Sequence, residues 1–118
     1  MTHQSAAYHL RTPIEAGRQV AQLRHVLSLV EEIAGGPHRP GGGDEALDES
    51  ARVTSAYSAG LPIVQRRFDA LAVETAAWSA AAVEALLNAG DRRSKAAARR
   101  LGDELAKALT QLSELLRP

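Results

Sequence analysis

Apolar residues recur at alternating spacings of four and three over most of this chain, a period typical of packed α-helices rather than strands. The composition agrees, because the chain is rich in alanine, leucine and arginine but has one Phe, one Trp and two Tyr. Strands are usually richer in aromatic and β-branched residues. A chain of 118 residues fits one domain. We therefore predict an all-α fold, an antiparallel bundle of three long helices, or four if the chain breaks at residues 60–62.

The first helix is predicted to begin after Thr12, which can form a capping box with Glu15, with Pro13 at the first helical position. Gly35 and Gly36 are expected to end it. Its predicted core residues are Ala16, Val20, Leu23, Leu27, Val30 and Ala34, with Val26 and Ile33 at the sides. A face of this width suits contact with two neighbouring helices.

The predicted domain spans residues 12–117 and follows a polar tail of residues 1–11. Its main interruption is the segment 35–43, which contains five glycines and two prolines. Neither a helix nor a strand propagates through such a segment, so we predict a flexible loop there.

The second helix is predicted to have Asp44 or Asp48 as its N-cap and to end near Tyr57. Pro62 lacks a backbone donor and disfavours helix at the preceding residue, so the chain either breaks there or continues as one kinked helix over residues 44–89. We expect a kink or a very short break. The residues predicted to point inward from the second helix are Leu47, Ala51, Thr54 and Leu61.

The segment 62–89 carries apolar residues on two sides. Its predicted core side consists of Val64, Phe68, Leu71, Thr75, Trp78, Ala82 and Ala85. Its second apolar side consists of Val73, Ala76, Ala77, Ala80, Val83 and Leu87. In so small a bundle, a helix that is apolar on both sides must be central or must contact another chain. We predict that the second side forms the interface of a homo-oligomer, most simply a two-fold dimer.

The last helix is predicted to follow a tight turn at residues 89–91, with Asp91 as its N-cap, and to form an antiparallel hairpin with the helix before it. Its apolar period continues through Gly102, which favours one helix over a helix-turn-helix. Counting from the turn places Trp78 against Gly102, where a missing side chain would leave room for the indole. The predicted core residues are Ala98, Leu101, Leu105, Ala108, Leu112 and Leu115.

A basic cluster opens this last helix and consists of Arg92, Arg93, Lys95, Arg99 and Arg100. Cations are disfavoured at the start of a helix dipole, so the cluster hints at a use for the charge. A solvated helix end is the simpler interpretation, because Arg99 and Arg100 each have a carboxylate four residues later. Acidic and basic side chains balance over the chain. Nucleic acid or another polyanion is therefore the alternative partner rather than the favoured one, and it would bind this patch.

Residues suited to metal or catalytic chemistry are sparse. The chain has no cysteine, which excludes disulfides, thiolate nucleophiles and cysteine-bound zinc. Its histidines have no second histidine or suitable glutamate at helical spacing, as a metal site in a bundle requires. The glycines of residues 41–43 follow no predicted strand and lack the Lys-Ser/Thr of a phosphate loop. We predict no cofactor, no metal and no enzymatic activity.

A short segment, residues 9–14 with the sequence HLRTPI, resembles the H-box of sensor histidine kinases. In this alignment Tyr8 stands at the phosphoacceptor position and His9 at the acidic position that follows it. A kinase would also need glycine-rich nucleotide-binding segments, which the chain lacks. The capping box explains Thr12 and Glu15 without any chemistry, so the segment predicts a helix start rather than phosphotransfer.

No uninterrupted apolar run is expected to be long enough to cross a bilayer, and residues 1–11 lack the apolar core of a signal peptide. We therefore expect a cytoplasmic protein without a membrane partner. Together these features favour a non-enzymatic protein-protein interaction module without a cofactor, an adaptor, regulator or inhibitor whose partner is a second copy of itself or another protein.

Overall fold

The structure, a computed structural model, describes residues 12–36 and 43–118, and for residues 43–46 and 91–93 it describes the backbone alone. The predicted polar tail and residues 37–42 of the predicted loop lie outside the described residues. Those described form four helices and no strand, which confirms the all-α helical bundle: α1 at Pro13–Ile33, α2 at Gly43–Ala59, α3 at Pro62–Leu87 and α4 at Asp91–Leu115. Between α2 and α3 the chain breaks at residues 60–61, so the four-helix alternative is the correct one.

The start of α1 is the capping box predicted from the sequence. The Glu15 backbone N–H donates to Thr12 Oγ1 at 3.1 Å, and the Thr12 backbone N–H donates to Glu15 Oε1 at 2.8 Å. At the other end Gly35 has a φ of +75°, in the left-handed region that glycine adopts most readily. Both ends of α1 are therefore set by local interactions.

The four helices do not surround one another equally. α1 packs against the other three helices, and α4 packs against α1 and α3. α3 has α4 as its main neighbour and contacts α1 less. The Cα atoms extend over 50 × 35 × 19 Å, so the thinnest dimension holds about two helices at the usual spacing of about 8–10 Å. α3 is thus a peripheral helix, and one of its sides is not covered by any other helix that the structure describes.

The core faces predicted for α1 and α4 are confirmed. The predicted residues that are buried are Ala16, Val20, Leu23, Leu27 and Val30 from α1, and Ala98, Leu101, Leu105, Ala108 and Leu112 from α4. Gly17 and Leu109 are buried as well, whereas Ala34 and Leu115 at the helix ends are half-buried. The wide face of α1 contacts two neighbours, α2 and α4, as its width predicted.

The inward face predicted for α2 is wrong. Leu47 is 71% exposed and Leu61 is 68% exposed. Ala51 is also exposed, and Thr54 is the one member of the predicted set that is partly buried. The buried side chain of α2 is Tyr57, at 1% exposure. The helix is therefore rotated so that its small polar residues, rather than Leu47, approach α1.

Close approach explains this orientation. A Cβ added at Gly17 would lie 2.7 Å from the Ser50 carbonyl oxygen and would also contact Thr54 Oγ1, so α1 and α2 touch almost backbone to backbone. Further along, Arg24 donates from Nε to both carboxylate oxygens of Glu49, at 3.0 and 3.1 Å. Larger side chains at the contact would hold the two helices apart.

Tyr57 joins α2 to α3 across the chain break. Its ring lies edge-on to Phe68 with centroids 5.5 Å apart, and its hydroxyl donates to the carboxylate of Asp69 at 3.0 Å. The Gln65 amide donates to the Tyr57 carbonyl oxygen at 2.8 Å. These contacts hold the first two turns of α3 in place even though Gly60 and Leu61 interrupt the helix.

Two details of α4 differ from expectation. The N-cap is Gly90, and Asp91 is the first helical residue rather than the cap. Gly102 does not receive Trp78, because a Cβ there would meet Val30 Cγ1 at 3.7 Å and Leu27 Cδ1 at 3.9 Å. Gly102 therefore faces α1. α4 is continuous through Gly102, as its period predicted. Trp78 is half-buried and packs against two clusters of buried residues, one that includes Phe68 and one that includes Leu86.

Candidate functional site

The side of α3 that faces away from the bundle is the strongest candidate for a functional site. It is defined here as the outer face of α3, seven positions spaced alternately by four and three residues: Arg66, Ala70, Val73, Ala77, Ala80, Glu84 and Leu87. All seven side chains are exposed, Val73 at 54% and Leu87 at 72%. Five of the seven are apolar, and each of these five is exposed in the part of the chain that the structure describes.

The predicted interface overlaps this outer face without coinciding with it. Of the six predicted residues, Val73, Ala77, Ala80 and Leu87 belong to the outer face and are exposed. Ala76 and Val83 are half-buried and pack against the core. They lie at the boundary between the outer face and the bundle.

The opposite side of α3 has a large apolar residue near each end, with small or hydroxyl-bearing residues between them. Its buried members are Phe68, Ala72, Thr75, Ser79 and Leu86, so the core side is rotated from the predicted one, and Ala85 is exposed. The two hydroxyls bond within their own helix, Thr75 to the Leu71 carbonyl oxygen at 2.7 Å and Ser79 to that of Ala76 at 3.2 Å. Both buried hydroxyls have an acceptor, so the inner face needs no outside partner.

α3 bears on the expectation about membranes. By length and composition alone this helix could cross a bilayer, since a stretch of 18 residues has a mean hydropathy of 1.4. The stretch contains two glutamates, so it is apolar on average but is not the uninterrupted apolar run whose absence was predicted. Only 22% of that stretch is buried in the bundle, and its Glu74 and Glu84 are exposed. The high mean hydropathy and the low buried share of this stretch both reflect the exposed apolar residues of the outer face.

The basic cluster is visible in part. Lys95, Arg99 and Arg100 are exposed, and the side chains of Arg92 and Arg93 lie outside the described residues. The two ion pairs expected within α4, from Arg99 and Arg100 to carboxylates four residues later, are absent among the described side chains. Glu104, the carboxylate four residues after Arg100, instead lies 3.7 Å from the Lys107 ammonium group, and both of these side chains are exposed. Arg99 and Arg100 are thus exposed cations without an ion-pair partner in the described part of the chain.

The described ranges contain no cluster of metal-binding side chains. No group of three or more His, Asp or Glu side chains is close enough there to hold a metal ion. Of the four histidines, His25 is exposed on α1, and the other three lie outside the described residues. An open depression on α4 is lined by Arg100, Asp103, Glu104, Ala106, Lys107, Thr110 and Gln111. The depression contains both positive and negative side chains, so it does not form a patch of one charge sign.

Three members of the outer face were missed by the sequence analysis: Arg66, Ala70 and Glu84. The signal for them was present, because they extend the four-three spacing of Val73, Ala77 and Ala80 in both directions. Arg66 and Glu84 were missed because the period was followed through apolar residues only, and Ala70 was missed because the period was followed only from Val73 onward. Comparison of the chain with protein-family models, with curated proteins and with solved structures finds no match.

Proposed function

We propose that this protein is a non-enzymatic protein-protein interaction module that associates with itself through the outer face of α3. The observation that carries the proposal is an exposed, mostly apolar face along a peripheral helix, including Val73 at 54% and Leu87 at 72% exposure. Contiguous apolar surface of this kind is characteristic of sites that bind other macromolecules. Association would remove it from water, and burial of apolar surface is the main favourable term in most protein-protein association.

The shape of the face suits another helix. Its central residues are alanines, with Val73 as the one larger side chain between Ala70 and Ala77. Alanines at this spacing allow two helix axes to approach toward the lower end of the usual range of about 8–10 Å. A two-fold dimer would bring together the same patch from both subunits, so the outer face of each copy would cover the outer face of the other.

The test compares two substitutions of an exposed alanine by glutamate. Ala80→Glu should raise the dissociation constant of the dimer by about a hundredfold or more, because each subunit would then bury an unpaired carboxylate. Ala51→Glu on α2 is the matched control and should leave the dimer intact, since that alanine is exposed outside the outer face. Sedimentation velocity at several concentrations measures both, and circular dichroism checks that each variant is folded.

Three results would contradict the proposal. One is an unmodified protein that sediments as a monomer at micromolar concentration and above. Another is a dimer that tolerates Ala80→Glu as well as it tolerates Ala51→Glu. The third is a monomer that floats with neutral lipid vesicles and loses this binding on Ala80→Glu, which would assign α3 to a membrane instead.

The second candidate function is polyanion binding through the basic cluster. It is favoured by Arg99 and Arg100, which are exposed and form no ion pair with a described side chain. Five cations at one helix end are enough for a local patch although the chain carries no net charge. Affinity for a polyanion should fall steeply as salt increases, whereas an apolar helix interface should be nearly indifferent to salt. A salt series with a short nucleic-acid duplex as the probe separates the two functions.

A further inference from the structure

We propose that two copies of α3 pair antiparallel about a two-fold axis near residue 75, so that Arg66 of each copy lies opposite Glu84 of the other. This inference rests on the proposed self-association and specifies its geometry. It commits to a second copy of this chain as the partner of the outer face. The argument comes from where the two charges lie on that face.

The outer face has the spacing of a two-helix interface. One set of positions repeats every seven residues through Arg66, Val73, Ala80 and Leu87, and a second set repeats through Ala70, Ala77 and Glu84. Residues with this alternation form the contact line of paired helices. The line is apolar in its middle and carries one cation near its start and one anion near its end.

The charges exclude a parallel pair. In a parallel two-fold dimer each position meets its own copy, so Arg66 would face Arg66 and Glu84 would face Glu84. Like charges across an interface are unfavourable, and the cost increases as the contact loses water. In an antiparallel dimer the start of one helix meets the end of the other. The charge pattern of the outer face is therefore complementary to itself only in the antiparallel arrangement.

The charges also select one register. An antiparallel pair can slide by steps of seven residues and keep the two sets of positions in contact. With the axis near residue 75, Arg66 lies opposite Glu84, and Val73 lies opposite Ala77. If one copy slides by one step in one direction, its Glu84 lies opposite Val73 of the other copy. If it slides in the other direction, its Glu84 extends past the start of the partner's α3 and has no residue of that helix opposite it. One register alone pairs both charges.

That register also gives the largest overlap. The middle of the helix Pro62–Leu87 falls between residues 74 and 75, so an axis near residue 75 places the two helices side by side over their whole length. A slide of seven residues in either direction leaves several residues at one end of each helix without a partner. Two independent features of α3, its charges and its ends, therefore lead to the same axis.

Both charges are available for this contact. Arg66 and Glu84 are exposed, and neither forms an ion pair with any described residue. The side chains one turn from Glu84 on the same helix are Ala80 and Asn88, so no cation on α3 neighbours it. Glu74 lies about 100° around the helix from Val73, at the rim of the contact, where its charge stays in solvent.

The experiment exchanges the two charges between copies. Arg66→Glu alone creates two Glu-Glu contacts and Glu84→Arg alone creates two Arg-Arg contacts, so each variant should dimerise at least about tenfold more weakly than the unmodified protein. An equimolar mixture of the two variants should restore the dimer as a heterodimer, because every contact is then Arg-Glu. The double variant should restore the homodimer. Sedimentation velocity and native mass spectrometry measure the species.

Matched controls carry the same charge changes away from the outer face. Arg52→Glu on α2 and Glu32→Arg on α1 replace exposed residues and should neither dissociate the dimer nor favour a heterodimer. If single reversals on α3 leave the dimer unchanged, or if the mixture fails to recover it, the antiparallel register is overturned while self-association stands. If the unmodified protein is a monomer, the proposed function and this register are both overturned.

Discussion

Gly17 and Gly102 both lie inside helices, and the structure predicts opposite results when each is replaced by alanine. In a helix interior, alanine is favoured over glycine by about 1 kcal/mol of unfolding free energy. That gain applies equally to the two positions. The difference between them is therefore decided by what the added methyl group meets.

At Gly17 the methyl group would meet the backbone of α2. Its carbon would lie 2.7 Å from the Ser50 carbonyl oxygen and 2.9 Å from the Ser50 hydroxyl, with Thr54 Oγ1 in contact as well. A carbonyl oxygen cannot rotate away, so α2 must shift. Overpacking of this kind costs up to about 3 kcal/mol. Set against the gain of about 1 kcal/mol from helix propensity, Gly17→Ala should lower stability by about 2 kcal/mol.

At Gly102 the methyl group would find an ordinary contact. The nearest atoms are Val30 Cγ1 at 3.7 Å and Leu27 Cδ1 at 3.9 Å, both methyl groups of α1. Nothing has to move, and the new contact is apolar. Gly102→Ala should therefore keep the whole propensity gain and raise stability by about 1 kcal/mol.

Urea unfolding followed by circular dichroism, with all proteins at one concentration, measures both changes. The two variants should differ by about 3 kcal/mol and have the same slope in urea. A Gly17→Ala variant as stable as the unmodified protein would refute the close approach of α1 and α2. A Gly102→Ala variant that loses stability would refute the assignment of Gly102 to the α1 side of α4.

Two further substitutions test other parts of the structure. Tyr57→Phe removes the hydrogen bond to Asp69 but keeps the ring against Phe68, so it should lower the unfolding free energy by about 1–2 kcal/mol in urea unfolding. An unchanged urea midpoint would show that this hydrogen bond is not formed. Arg99→Ala combined with Arg100→Ala should leave the unfolding free energy within about 0.5 kcal/mol, because both side chains are exposed and unpaired, and a cooperative loss of fold would show that they are structural.

Features set by neighbouring residues could be predicted from the sequence. The capping box at Thr12 and the core period of α1 and α4 depend on interactions within one or two turns. The interruption at Pro62 is local as well, although the sequence left open whether it is a kink or a break. The buried faces of α1 and α4 were predictable because leucine and valine stand at most of their core positions. In each case hydrophobicity and period identify the same face of the helix.

Features set by contacts between helices could not be predicted in this way. The α2 face was misassigned because its one leucine is exposed. The contact with α1 depends on Gly17 instead, whose role appears only when Ser50 and Thr54 lie beside it. The partner of Gly102 was misassigned because counting residues from a turn predicts which residues lie at the same height along two helices. It does not predict which side of the helix each residue faces. The peripheral position of α3 depends on the order of helices in the bundle, which no period encodes.

The candidate site carries more information in its two charges than in its apolar residues. Alanines and valine at four-three spacing would let two helices pair in either direction and slide by seven residues with little change in contact. Arg66 and Glu84 weaken such an interface, since each costs desolvation, but they penalise the parallel pair and the shifted registers more. A single polar position is known to fix register in paired helices at some cost in stability. On this reasoning the charges do not interrupt the outer face of α3; they determine which pairing of two copies it accepts.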